Sequence, residues 1–281
     1  NMEFVVLQDL FLNETAKFAH VLLPGSSSLE KDGTFTNAER RVSRVRQVLP
    51  PMAGLQDWEI VVRLMNAMGY PAQYRDAGEV LLELARLTPA YSGLSFELLD
   101  RIGSAQWPVD AKAPEGTEVL HLERFPRANG LGTFMLTGYV PTTERISERY
   151  PLLLTTGRIL SQYNAGTQTR RTANSRWHPE DVLEISAADA QARGIRDGER
   201  VQVSSRFGTA QLKAAYSERV NPGVVYTTFH HAESRVNALT SDRSDWATNC
   251  PEYKVTAVEV LRVATAAGAG AETMQSDEVP A

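Results

Sequence analysis

The sequence has almost no cysteine, little lysine and no long hydrophobic run. One cysteine, Cys250, stands among 281 residues. That excludes an internal disulfide, a CxxC zinc site and an iron–sulfur cluster held by cysteines of this chain alone. A cytoplasmic setting fits such a composition. No stretch of about 18 apolar residues occurs, so no transmembrane helix is expected. The opening Asn1-Met2-Glu3-Phe4 lacks the basic region and apolar stretch of a secretory signal. Neither a G-x-G-x-x-G nor a Walker loop is present, and no serine sits in a nucleophile elbow. The net charge of −5, with no basic stripe interleaved with aromatics, argues against a nucleic-acid partner.

What is there is unevenly distributed charge, most of the positive part of it arginine. Only five of the 29 basic residues are Lys (17, 31, 112, 213 and 254). Residues 1–150 carry 15 basic and 19 acidic groups, net −4; residues 151–262 carry 14 and 12, net +2; residues 263–281 carry three acids and no base. Arginine is the residue of choice for planar, bidentate recognition of anions, although a GC-rich genome favours it too.

Length points to about two domains. The first part reads as α/β. Phe4–Gln8 and Val21–Pro24 are apolar strand candidates with a short helix, Glu14–His20, between them. They resemble the edge of a parallel sheet, which needs several strands and two covered faces; the chain reads as beginning inside a domain. A polar loop, Glu30–Asn37, precedes an extended arginine-rich stretch, Glu39–Val48. Asp57 is expected to cap a helix ending at Gly69, and Glu79–Leu87 and Phe96–Ile102 read as further helices. Glycine and proline then interrupt any long period over 104–148, which reads as a connector.

From Tyr150 the pattern is β. Leu152–Thr156, Val182–Ile185, Arg200–Ser204, Thr209–Ala215, Val224–Phe229 and Tyr253–Val263 are six strand candidates at short spacing. One helix intervenes, opened by Ser186-x-x-Asp189 and closed by Gly194. Six such strands predict a small barrel. The last residues, 264–281, are small and acidic and read as a flexible arm.

The strongest chemical signal is Thr156-Gly157-Arg158 through Thr169-Arg170-Arg171. Between Pro151 and Pro179 there is no Asp or Glu, but there are four arginines, 158, 170, 171 and 176, with hydroxyls at Thr156, Ser161, Thr167, Thr169 and Thr172. Guanidinium forks, hydroxyls and the backbone amides of a glycine-bearing loop suit a diphosphate or another multivalent anion. A solvated basic loop or an inter-domain salt-bridge patch fits the same composition. Arg44 and Arg46 read as a charged strand edge that blocks edge-to-edge pairing, while Arg40 and Arg41, near Asn37 and Gly33, are better placed for binding. His230 and His231 invite a metal, but neighbours in a strand face opposite ways; Phe229 is the better candidate, as a stacking platform. Cys250 has no adjacent base to make it a nucleophile. Tyr253 and Lys254 put a phenol and an ammonium at a strand entrance, where barrels bind ligands.

Three blocks carry a resemblance. The first is Glu14-Thr15-Ala16, Ala19–Pro24 and Glu30–Arg41. The second is Thr156-Gly157-Arg158, Tyr163, Gly166-Thr167 and Thr169-Arg170-Arg171. The third is Phe229-His230, Asn237–Thr240 and Pro251–Val258. In this order they resemble the C-terminal third of the molybdopterin-guanine-dinucleotide oxidoreductases. The similarity is closest to the catalytic (alpha) subunit of soluble, NAD-dependent molybdenum formate dehydrogenases; periplasmic nitrate reductases share much of it.

The resemblance implies an α/β fragment followed by a mainly-β, six-stranded double-psi β-barrel. Residues 1–105 would end an α/β domain, 106–144 connect, and 145–263 bind the dinucleotide. It implies a bis-molybdopterin guanine dinucleotide carrying molybdenum or tungsten. Gly157, Arg158, Tyr163, Thr167, Thr169 and Arg170 would line one dinucleotide, Phe229 and Asn237 the pterin, and Tyr253 and Lys254 would close over it. Gly33, Thr34, Asn37 and Arg41 would face the cofactor from the other domain. Where family members often carry His near the loop, this chain has Tyr163-Asn164. The metal-ligand cysteine, the catalytic His and Arg and the iron–sulfur cysteines align to nothing here. By this resemblance these residues hold no catalytic or metal role, and the fragment alone would be inactive. Iron–sulfur clusters and NAD or FMN would belong to the remaining chain or to partner subunits of a multisubunit complex, with formate and CO2 as substrates. A nitrate reductase fragment, and a non-catalytic dinucleotide-binding or protein-interaction module, are the alternatives.

Overall fold

The computed structural model describes residues 2–263; the acidic arm expected over 264–281 lies outside the described residues. The chain divides into two compact units, Asn1–Thr137 and Gly138–Ala281. Among the described residues no helix is long and apolar enough to cross a membrane.

In the first unit, β1 (Val6–Asp9) and β2 (Val21–Pro24) pair in parallel, Val6 opposite Val21, around a 3-10 turn at Glu14–Phe18. Helix α1 (Asp57–Ala67) follows, and its cap departs from expectation. Gln56 is the N-cap, and Glu59 reaches back to its backbone N–H at 2.7 Å. Asp57 instead turns its carboxylate toward the β1–β2 loops. It accepts from Ser26 N and Gln8 Nε2, each at 3.0 Å, and pairs with Lys31. Burial pushes its pKa up, but Lys31, Ser26 and Gln8 outweigh that and hold it below the usual carboxylate value.

Strands β3 (Gly33–Thr36), β4 (Arg41–Val45) and β5 (Ser104–Gln106) form an antiparallel sheet with β4 in the middle. Two expectations change. The segment at Gly33–Thr36, expected as loop, is a strand because β4 supplies its partner, Phe35 opposite Ser43. Ser104–Gln106 covers the other side of β4 at Arg41–Ser43, while Arg44 and Arg46, expected as a charged strand edge, lie beyond that pairing. Arg44 is nonetheless a buried strut. Its side chain is 7% exposed, lies 2.9 Å from Asp32 and 3.1 Å from Asp100, and stacks 3.4 Å over the Phe96 ring. Helix α2 (Ala77–Leu87), capped by Asp76, and α3 (Phe96–Ile102), capped by Ser95, supply Leu81, Leu98 and Leu99 to a core shared with Val42, Leu94, Ala105 and Val109.

The second unit is built on β6 (Leu152–Gly157), β7 (Val182–Ile185), β8 (Arg200–Ser204), β9 (Thr209–Tyr216), β10 (Val224–Thr228) and β11 (Thr256–Arg262). They close into a six-stranded double-psi barrel in the order β10-β6-β11-β8-β9-β7. The pairs β6–β10 and β7–β9 are parallel and the other four antiparallel. Strict alternation sends Val201, Val203, Ala210, Leu212 and Ala214 inward, where they meet Leu152, Leu154, Leu183, Ile185, Val225, Val258 and Val260. Full burial of such a side chain is worth about 1.5–3 kcal/mol, which outweighs any local preference of the polar residues between them. The short helix α4 (Ala187–Ala192) is capped by Ser186, whose Oγ accepts from Asp189 N at 3.1 Å, and the chain leaves it through Gly194 at φ 64°.

Candidate functional site

The parallel pairing of β6 with β10 sets Gly157 opposite Thr228. Arg158 and Phe229, the next residue of each strand, thus leave the barrel side by side, and the Arg158 guanidinium lies 5.2 Å from the Phe229 ring centre. Strand β11 runs antiparallel to β6, with Thr256 opposite Leu154, so Tyr253 and Lys254 enter at the same end. There Lys254 Nζ donates to the Thr156 carbonyl at 2.6 Å, and Thr156 Oγ1 donates to the Tyr253 carbonyl at 2.8 Å. Asn237 sits exposed on a 3-10 turn, Val236–Leu239, held to the β8–β9 hairpin by Ser205 Oγ on the Leu239 carbonyl at 2.7 Å. Barrel closure therefore gathers residues from three distant blocks at one rim.

Gly157 is required at its position. A Cβ there would meet Tyr226 Oη at 2.5 Å and its ring at 2.7 Å. Beyond it the chain forms an arch over 158–170. Arg158 Nε donates to Asn164 Oδ1 at 3.1 Å; Thr169 Oγ1 accepts from Tyr163 N at 3.1 Å and donates to Gln162 Oε1 at 2.6 Å. Arg170 pairs with Glu233 at 3.0 Å, Arg171 donates to the Thr167 carbonyl, and Tyr163 projects outward, 73% exposed. Three buried polar atoms in the arch have no protein partner: Ser161 Oγ, Gln162 Nε2 and Arg170 Nε. Unpaired buried groups of this kind cost about 1–3 kcal/mol each. Two of the three are fixed donors and the third a hydroxyl, gathered where no acid occurs for 27 residues (152–178). They fit a ligand rich in acceptor oxygens, as a nucleotide diphosphate is.

The remaining sequence candidates lie in the first unit, on the β3–β4 hairpin. Gly33 and Thr34 line a cleft of 300 Å³ with Lys31, Asp57 and Trp58. Asn37 is spent on the turn, where its Oδ1 accepts from Glu39 N and Arg41 N at 3.0 Å each; Arg41 contacts Glu39 and Ser104. Arg40, at φ 67°, is used up on the carbonyls of Trp107, Thr117 and Glu118. Cys250 is exposed in a separate turn around Asp245.

Two residues organise the rim: His230, which stands in the third block of the resemblance, and Asp181, which no local pattern marks. His230 and His231 follow the end of β10 rather than alternating within it, so the expectation of opposite faces does not apply. His230 is fully buried and bonds the arch. Asp181 is 2% exposed and accepts from Thr228 Oγ1, His230 N at 3.0 Å, His231 N at 2.9 Å and Ser234 Oγ at 2.6 Å. Burial pushes its pKa up, but the bonds from Ser234, Thr228 and His231 prevail and hold it below the usual value. The His231 Nδ1 is 3.2 Å from Asp181 yet off hydrogen-bond geometry.

Fold and rim together define a closed six-stranded barrel domain whose rim carries an acid-free, arginine-bearing arch. Residues 152–257 match the Molydopterin dinucleotide binding domain, and residues 1–67 match Molybdopterin oxidoreductase. Both matched segments are thus similar to molybdopterin oxidoreductases. It is 44% identical over 267 residues to the F420-dependent formate dehydrogenase 2 subunit alpha of Methanococcus maripaludis, covering 94% of this chain and 39% of that protein. It is 39% identical to the corresponding subunit of Methanocaldococcus jannaschii (94% and 40%) and 36% identical to a putative formate dehydrogenase of Staphylococcus aureus (94% and 27%). The chain thus spans about two fifths or less of the relatives it matches. Acetylene hydratase from Pelobacter acetylenicus shares the fold, with a TM-score of 0.67 at 17% identity over 93% of this chain and 40% of that one.

Proposed function

We propose that this chain is the part of a formate dehydrogenase catalytic subunit that grips the guanine dinucleotide of a bis-molybdopterin cofactor. The observation that carries the reading is the acid-free arch at the rim, with three buried polar atoms awaiting acceptors. When bound, the cofactor supplies the metal, molybdenum or tungsten, that accepts the two electrons of formate as CO2 and a proton leave. The residues here bind and orient it. Arg158 and Arg170 meet phosphate charge, Gln162, Ser161 and Thr169 supply neutral hydrogen bonds, and Phe229 offers a flat apolar face backed by the barrel core. Tyr253 and Lys254 close the rim beside Thr156. Excluding water from such a charged ligand strengthens each of these contacts.

In this reading oxidation itself falls to residues elsewhere in the catalytic subunit, where the resemblance places the metal-ligand cysteine and the catalytic His and Arg. Electrons leave through iron–sulfur and flavin-bearing partner subunits in a cytoplasmic complex. The acceptor divides the readings. The sequence resemblance points to NAD, whereas two of the relatives just described are F420-dependent. Assaying the complete enzyme with each acceptor separates them. The central test is Arg158→Ala in the full-length enzyme, with molybdenum and guanine nucleotide measured after purification. Both contents are expected to fall with formate oxidation; normal content and activity would remove Arg158 from the site.

A further inference from the structure

We propose that His230 is a positioning residue of the rim, a two-ended clasp that holds the 158–166 arch in its binding conformation, and that Asp181 sets the clasp. The inference rests on the reading of that arch as the dinucleotide grip.

The ring of His230 is 0% exposed. Its Nε2 accepts the backbone N–H of Ile159 at 3.2 Å, so that nitrogen carries no proton. The proton of the neutral imidazole is on Nδ1, which donates to the carbonyl of Asn164. One side chain thus pins both sides of the turn in which Asn164 adopts a left-handed φ of 46°. The main chain of His230 closes the same contact from below. A Cβ on Gly166 would lie 2.8 Å from the His230 carbonyl, so the arch rests directly on it. His230 in turn is set by Asp181, whose carboxylate accepts its N–H and also binds Thr228, His231 and Ser234.

The arch needs such a clasp. It is polar, with no core of its own, and ordering each residue costs about 1–2 kcal/mol. The clasp aims Ser161, Gln162 and Arg170 before any ligand arrives, which lowers the ordering cost of binding. Nothing in the barrel core requires it, because the core is complete without the arch.

The test compares the 281-residue chain with His230→Leu and His230→Gln by hydrogen exchange and by binding of GDP. Losing two hydrogen bonds should speed exchange over 158–166 at least tenfold and weaken GDP about tenfold in the leucine variant. Strands β7 and β8 should stay as protected as before. The glutamine variant should stay near the parent, because a primary amide also offers one donor and one acceptor. Should the leucine variant not fold, His230→Asn, polar but too short to reach both ends, is expected to open the arch in the same way. Unchanged protection of the arch overturns the clasp, and an opened arch with undiminished GDP binding overturns its positioning role. If the parent chain does not bind GDP, the dinucleotide reading is what fails, and the exchange data still decide the clasp.

Discussion

Glu144 and Arg206 meet at 3.1 Å, the carboxylate 3% exposed and the guanidinium 37% exposed. The same carboxylate oxygen accepts the Ala257 N–H at 3.1 Å, and Arg206 Nη2 reaches the Arg145 carbonyl at 3.0 Å. Arg206 also lies 5.0 Å from the Tyr150 ring centre. One carboxylate therefore ties the segment before β6 to the start of β11 and to the β8–β9 hairpin. Removing it leaves the buried N–H of Ala257 without a partner. Glu144→Ala should cost about 2–3 kcal/mol, read as a shift of the urea midpoint at constant slope. Arg206→Ala should cost less, since its partly exposed charge is screened. A loss below about 0.5 kcal/mol, the range of an ordinary surface change, in the Glu144 variant would contradict this account.

Asp181 makes the barrel acid-sensitive in a definite direction. Its pKa is held below the usual value in the folded chain. The stability it contributes is therefore full above the unfolded value of about 3.9 and is lost as pH falls through the lower folded value. Asp181→Asn should flatten the fall in stability on the acid side of about pH 4 while lowering stability at neutral pH. Parallel acid-denaturation profiles for the two proteins would argue against this role.

Gly157 is limited by contact rather than by backbone angle. Its absent Cβ would sit 2.5 Å from Tyr226 Oη and 2.7 Å from the ring. Overpacking of this kind typically costs about 1–3 kcal/mol. Gly157→Ala should lower the melting temperature, and Tyr226→Ala in the same chain should relieve the clash. Two losses that simply add would place the strain elsewhere.

Arg44 is the strut of the first unit. Arg44→Lys keeps the charge but cannot hold Asp32 and Asp100 together while stacking on Phe96. A loss of about 1–2 kcal/mol is expected, given that both aspartates stay accessible to water. Lysine as stable as arginine in chemical denaturation would reduce Arg44 to a surface charge.

Much of the second unit is legible along the chain. All six barrel strands are legible, β8 and β9 from period-2 alternation and the others from short apolar runs, several bounded by glycine or proline. The helix at Ala187–Ala192 follows from Ser186 and Gly194. The first unit is harder to read, for reasons of partnership. Gly33–Thr36 is too polar to announce itself as a strand and becomes one only beside β4. Arg41–Ser43 lies inside a sheet only because Ser104–Gln106, some 60 residues later, pairs with it. Asp57 has the spacing of a cap, yet Lys31 and the Ser26 amide attract its carboxylate more strongly than the helix end does.

The sequence by itself determined the barrel and the charge of its rim. Those depend on local alternation, turn chemistry and the absence of acids over 152–178, all written in consecutive residues. Only the tertiary structure decided which residues organise the rim. Parallel pairing of β6 and β10 brings Gly157 beside Thr228 and lets His230 reach Ile159 across 71 positions. It turns His230, one of a histidine pair that resembles a metal motif, into a clasp, and Asp181 into its anchor. Buried polar atoms must find partners wherever the fold places them, and that placement is set by strand order and register, which no local pattern encodes.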